Sequence, residues 1–279
     1  ILVETPDLDP VTFLDFERQT PYSGQISAPY RLDCAITYRL PEGAAPEAAP
    51  TDRAKQELSL NEWLKILDNA WKAGIPHVVF TGGEPTLRDD LPALISHAEK
   101  NNMVSGLLTD GLRLAKKPYL QTLLQTGLDH LMIILQPKNE LCWQAIQNAL
   151  VEDIFLAVHL TITHESASEA PALLEKLNEL GVPAISLSAG APDLTPALQA
   201  AREQAADLGL ELIWNLPTPY SAINPVALET GDIAELPEGA GRAWLYVEPD
   251  GDVLPSQGVN KVLGNMLRDE WEKIWKKGN

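Results

Sequence analysis

Cysteine is scarce: the 279-residue chain has two, Cys34 and Cys142. Two thiols cannot make a disulfide framework, a four-thiolate zinc site or, by themselves, a cubane iron–sulfur cluster. Nothing in that count argues for secretion, so a cytoplasmic location is the default expectation. There is no run of about 18 or more apolar residues, and no membrane-spanning helix or membrane partner is expected. Basic charge is in deficit: 21 Lys and Arg stand against 39 Asp and Glu, a formal net charge of −18. Such a surface repels nucleic-acid phosphates and anionic lipid; it favours solubility and leaves a basic peptide or cationic partner open. No G-x-S-x-G, Walker or dinucleotide fingerprint appears. The first residue is Ile1, which leaves open what precedes it.

What is present is a regular alternation. Hydrophobic residues make up 45% of the chain, enough for a sizeable core at this length. Residues 1–30 are Pro-rich and irregular, and Pro41–Gln56 reads as a mobile Pro/Ala loop. Strands are expected at Leu32–Tyr38, Pro76–Thr81, Met103–Thr109, Leu128–Leu135, Ile154–Ile162, Val182–Ser188 and Leu210–Trp214. Between them, Ser59 and Glu62 form a capping box for a helix with Leu60, Trp63, Leu64, Leu67 and Trp71 at helical spacing, stopped by Gly74. Further helices are expected at Asp89–Asn101, Lys117–Gln125, Glu140–Leu150, Ser168–Leu180 and Thr195–Leu208. Short strand–helix units demand parallel strands with helical crossovers. The fold class is therefore α/β, an incomplete parallel (β/α) TIM-like barrel, with a doubly wound open sheet as the alternative. Either places ligands at the C-terminal strand ends. After Trp214 a linker leads to a hairpin over Ala243–Pro255, turning at Asp250–Gly251, and a helix over Leu267–Lys277. The division is 1–30 irregular, 31–215 partial barrel and 216–279 hairpin-and-helix extension.

The informative stretch is H-V-V-F-T-G-G-E-P-T-L-R-D-D-L, His77–Leu91. A strand ends in Thr81; Gly82 and Gly83 let backbone approach a ligand closely; Glu84 sets a carboxylate at the strand end, suited to a ligand ammonium; Pro85 stiffens the turn. Thr109, Asp110 and Gly111 end the next strand and would line the same mouth. This order resembles radical SAM enzymes, whose G-G-E-P segment receives the amino group of S-adenosylmethionine. The likeness runs from about Leu32 to Trp275. Gly239–Ser256, followed by L-G-N-M and E-K-I-W, resembles the SPASM/twitch extension of that family.

The resemblance also implies a C-x3-C-x2-C loop after the first strand, holding a [4Fe–4S] cluster. Those positions fall on Leu40, Ala44 and Glu47, and the extension's usual cysteines on Glu238 and Ser256. Replacements this mixed read as natural divergence. A cluster is not expected, nor a 5′-deoxyadenosyl radical, because the cluster supplies both electron and anchor. The residues expected to hold S-adenosylmethionine are Thr81, Gly82, Gly83, Glu84, Pro85, Thr109 and Asp110. Asp110 stands where the family often has Asn.

Cys34 and Cys142 read as core thiols. His159 and His164, beside Glu165, are a weak metal candidate, because five residues along a strand point to opposite faces. His77 and His130 begin strands away from the expected site, and His97 reads as a surface residue. Trp214, Pro217, Pro219 and Tyr220 are expected to pack as core or linker, or to grip a peptide. The expected function is that of a non-catalytic radical SAM homologue that binds a ligand, peptide or partner enzyme at the barrel mouth. The alternatives are an S-adenosylmethionine-dependent enzyme without its own cluster, or a cluster completed by a partner.

Overall fold

The first strand, β1 (Arg31–Thr37), is buried at every position after Arg31. Leu32, Cys34 and Ile36 join the large core shared with the helices, whereas Ala35 packs inward with Tyr38, Tyr246 and Leu254. A strand covered on both faces is what a parallel sheet with helical crossovers requires. The computed structural model describes residues 27–41, 56–213, 216–219, 238–259 and 261–278. Most of the irregular N-terminal segment and most of the expected Pro/Ala loop lie outside these residues.

Six strand–helix units follow one pattern. The strands are β2 (His77–Gly82), β3 (Val104–Thr109), β4 (His130–Ile134), β5 (Phe155–Ile162), β6 (Ala184–Ala189) and β7 (Glu211–Leu212). The helices are α1 (Leu60–Ala73), α2 (Leu91–Lys100), α3 (Lys117–Leu124), α4 (Glu140–Leu150), α5 (Ala170–Glu179) and α6 (Thr195–Asp207). Three more strands, β8 (Trp244–Val247), β9 (Asp252–Leu254) and β10 (Gly264–Asn265), and helix α7 (Trp271–Gly278) complete the set. One ten-stranded sheet results, in the order β10-β9-β8-β1-β2-β3-β4-β5-β6-β7. From β1 to β7 the order never reverses. The reversal that a doubly wound sheet needs is absent, and the sheet is an open, barrel-like curl with β7 and β10 at its edges.

The helix α1 shows why local sequence suffices here. Ser59 donates from both its backbone N–H (2.8 Å) and its hydroxyl (2.7 Å) to Glu62 Oε2, and Gly74 closes the helix at φ 88°. Its buried face is Trp63, Ile66, Leu67 and Ala70; Trp71, expected on that face, is 52% exposed. Ile66 and Ala70 fill the arc beside Trp63 and Leu67 and leave Trp71 on the flank.

The hairpin is not a detached appendage. β8 runs parallel to β1, with Leu32 opposite Leu245, and β9 returns antiparallel on β8. The α1 helix and the segment leading into it brace it: Leu58 N–H donates to Pro249 O at 2.8 Å and Asn69 Nδ2 to Met266 O at 2.9 Å. β10 was not anticipated. Its Asn265 N–H is taken by Asp269 Oδ2 at 2.8 Å, a turn that delays the last helix to Trp271 from the expected Leu267. No described helix is long and apolar enough to cross a membrane.

Candidate ligand site at the strand ends

β2 ends in two glycines, and the structure supplies a reason. Gly82 has φ +124°, and a Cβ there would stand 2.1 Å from Thr37 O; on Gly83 it would stand 2.3 Å from Arg39 O. Gly83 N–H donates to Thr37 O (2.8 Å) and Glu84 N–H to Arg39 O (2.9 Å). The backbone that lies against the glycines is thus the chain's own exit from β1, where the sequence suggested a ligand. Arg88 fixes the same exit. It donates to Ile36 O at 3.0 Å and Leu58 O at 2.9 Å while pairing with Asp90 at 2.7 Å.

Glu84 is 3% exposed, and its carboxylate is engaged within the fold. Oε1 accepts from Thr86 N–H (2.9 Å), Thr86 Oγ1 (2.6 Å) and Thr109 Oγ1 (2.7 Å), and Oε2 accepts from Asp110 N–H (2.7 Å). Glu84 therefore ties the end of β2 to the end of β3 and caps the 3-10 turn Pro85–Leu87. Asp110 Oδ1 accepts from Leu112 N–H at 2.9 Å. Burial, then the neighbouring Glu84 charge, pushes the Asp110 carboxyl up to about 8. Thr81 points to the inner side with Val79. It is fully buried, and its Oγ1 has no hydrogen-bond partner among the described residues.

On the inner side, one group escaped the sequence reading and another, His159, has partners that reading did not foresee. Tyr38 OH donates to Glu248 Oε1 at 3.3 Å and lies 3.4 Å from Tyr246 OH, with Tyr246 and Glu248 fully buried. Alternation along W-L-Y-V-E was the available signal, since Leu245 and Val247 face the helices. His159, 2% exposed, has Nδ1 3.0 Å from Ser186 Oγ and Nε2 2.9 Å from Ser188 Oγ and 3.2 Å from Thr161 Oγ1. Burial holds its imidazole down at about 4, hence neutral.

The fold does not bring His159 and His164 together. His159 is inside, while His164 is exposed and 2.8 Å from Asp193. At the far ends of the strands His77 Nε2 meets His130 Nε2 at 2.6 Å. His97, expected at the surface, is half-buried and pairs with Asp68 at 2.7 Å. Cys34 is fully buried among the helix-facing side chains, and Cys142 lies under the β4 exit with Gln136 N–H 3.4 Å from its Sγ. Burial pushes the Cys34 thiol up and the Cys142 thiol up to about 11, so both are protonated. Leu40 is half-buried and Glu238 exposed, while Ser256 Oγ receives Trp244 Nε1–H at 3.4 Å. Ala44, Glu47, Trp214 and Tyr220 lie outside the described residues; Pro217 and Pro219 are buried.

The radical SAM superfamily model matches residues 34–160. That stretch is a radical SAM domain. A PqqA peptide cyclase of Streptomyces rochei is 26% identical over 280 residues, covering 90% of this chain and 76% of that protein. A second PqqA peptide cyclase, from Granulibacter bethesdensis, is 34% identical over 113 residues, 40% of this chain and 30% of that protein. Among solved structures, Streptococcus suis SuiB bound to precursor peptide SuiA superposes with TM-score 0.65 at 16% identity, over 98% of this chain and 71% of that one. anSMEcpe with bound AdoMet gives TM-score 0.65 at 12% identity, over 89% and 80%. These structures share the fold. The matched radical SAM stretch begins within β1 and ends within β5, so it contains the whole Glu84 junction.

Proposed function

We propose that this chain is a radical SAM homologue that holds a ligand, peptide or partner protein at its barrel mouth and does not itself generate a radical. The observation that carries the reading is the state of its thiols. The chain has two cysteines, one inside β1 and one inside α4, both buried and protonated. A cluster needs at least three thiolates presented together, so the donor set of this chain does not fit one. The alignment of Leu40, Ala44, Glu47, Glu238 and Ser256 with the usual cysteine positions supports the same conclusion.

S-adenosylmethionine is the ligand that the family likeness brings to this mouth, met by Thr81, Gly82, Gly83, Glu84, Pro85, Thr109 and Asp110. The fit is partial. Glu84 is already satisfied by four donors, whereas Thr81 Oγ1 is a buried hydroxyl without a partner among the described residues. Residues 216–279 serve as a SPASM/twitch-like extension, and two free buried thiols suit the cytoplasm. The relatives' names, PqqA peptide cyclase and a structure bound to a precursor peptide, favour a peptide or a peptide-modifying enzyme as partner.

A second reading rests on Asp110. Its carboxyl, pushed up to about 8, can exchange a proton near neutrality at a strand end, as an acid–base group in an enzyme working without its own cluster must. Anaerobic reconstitution with iron and sulfide, followed by iron analysis and calorimetric titration with S-adenosylmethionine, tests both. The expected result is no bound iron with measurable cofactor binding. About four irons per chain with charge-transfer absorbance would overturn the first reading. Turnover that disappears in Asp110→Asn would establish the second.

A further inference from the structure

We propose that His77 and His130 form a two-imidazole site for a divalent transition-metal ion of the zinc class, at the N-terminal ends of the strands. The two rings come from the first residues of β2 and β4 and meet across β3. They can meet because Gly106 lies beneath them: a Cβ there would stand 2.0 Å from the His130 ring. Nε2 stands 2.6 Å from Nε2, while the ring centroids are 4.8 Å apart. The nitrogens therefore point at each other and not past each other.

Two lone pairs cannot face each other at that distance, so a positive particle must lie between them. Without a metal it is a proton, donated by one Nε2–H to the other Nε2. A metal ion can take its place. Imidazole nitrogens bind zinc at about 2.0–2.1 Å in tetrahedral geometry, which sets two of them about 3.3 Å apart. The rings have to open by less than 1 Å to reach that spacing. The donor ring moves its proton from Nε2 to Nδ1, both lone pairs then face the ion, and no net proton is released.

The surroundings admit an ion. Both rings are half-buried and Val104 beside them is 47% exposed, so water reaches the rim. No group of three or more His, Cys, Asp or Glu gathers for a metal among the described residues, so water completes the coordination. The nearby Arg31 cation is taken up by Asp33, at 2.7 and 3.1 Å, and the exposed Asp129 adds a negative charge next to His130. The other three imidazoles have different partners. His97 faces Asp68, His164 faces Asp193, and His159 faces hydroxyls. An ion here would tie β2 to β4 at the end of the sheet remote from Glu84, and the inference does not rest on what the mouth binds.

The test is titration of the full chain, freed of metal with EDTA, with zinc chloride, read by calorimetry and by nitrogen-15 NMR of the imidazoles. One zinc per chain should bind, with both His77 and His130 passing to the Nδ1–H form and their Nε2 signals shifting. His77→Gln and His130→Gln should each weaken binding at least about tenfold, since losing even a hydrogen-bond partner of a ligand costs that much. His164→Gln should leave it unchanged. No zinc binding, zinc binding that leaves the His77 and His130 signals unmoved, or full affinity in either Gln variant would overturn the site. The imidazole signals are read in the unsubstituted chain, so they decide the matter even if a variant fails to fold.

Discussion

The two ends of the sheet treat buried charge in opposite ways. At the C-terminal strand ends, acids are crowded: Glu84 is fully hydrogen-bonded and Asp110 beside it is driven towards its neutral form. At the N-terminal ends, two imidazoles share one hydrogen bond, and burial holds His77 down at about 3 and His130 down at about 4. Burial disfavours the charged form at Asp110 as it does at the two imidazoles. The two ends differ in what holds them. The upper end packs its glycines against the backbone leaving β1, the lower sets Gly106 against a side-chain ring, and that difference can be broken from either side.

The largest effect should come from Gly82→Ala. A Cβ there meets the carbonyl of Thr37 at 2.1 Å with φ at +124°, and neither backbone can turn away. The expected cost is about 4 kcal/mol in urea unfolding. The lower counterpart is Gly106→Ala, whose Cβ would meet the His130 ring at 2.0 Å. A ring can rotate aside, so about 1–2 kcal/mol is expected. Equal costs would erase the distinction between the ends.

Next comes Glu84→Ala, which strands the donors on Thr86, Thr109 and Asp110 N–H. About 3 kcal/mol of stability should disappear. The companion Glu84→Gln removes the charge that raises Asp110, so an NMR titration should find the Asp110 carboxyl below about 8. No movement would mean that burial alone sets it.

The pH dependence sharpens the comparison. Asp110 is raised from 3.8 to about 8, so the folded state binds more protons, and its contribution to stability falls as pH rises through that window. His77 and His130 are lowered from 6.5, so the folded state binds fewer. Their contribution is present above 6.5 and lost as pH falls towards about 4 at His130 and about 3 at His77. Asp129 opposes this at His130, whereas Arg31 reinforces it at both rings. Unfolding midpoints across pH should lose the upper slope in Asp110→Asn and the lower slope in His130→Gln. A single slope abolished by either variant would show that the ends are not independent.

Much of the scaffold was legible because it is local. The Ser59–Glu62 box, the Gly74 stop and the Glu140–Leu150 helix all follow from neighbours along the chain. What was hidden is non-local. Nothing near Trp244 says that β8 will lie beside β1, and only that pairing sets Tyr246 and Glu248 against Tyr38. The role of Glu84 was hidden for the same reason. Its acceptance from Thr86 is readable as a cap in E-P-T, but the bonds from Thr109 and Asp110 exist only once β3 lies beside β2. Sequence reading therefore set Glu84, Thr109 and Asp110 at neighbouring strand ends without revealing the hydrogen bonds that join them.

The smallest effect on stability, and the most informative for function, should come from Thr81→Val. Valine keeps the shape and removes a hydroxyl that is buried and unpartnered among the described residues, so the fold should lose nothing and gain about 0.5–1 kcal/mol. If that hydroxyl is kept for a ligand, binding of S-adenosylmethionine should weaken about fivefold in the same variant, the share of one hydrogen bond. A gain in stability with unchanged binding would make Thr81 a packing defect of the upper end and return the burden of recognition to the backbone of Gly82 and Gly83. A loss of stability would mean that an internal water already satisfies Thr81, and that both ends of the sheet are complete without a ligand.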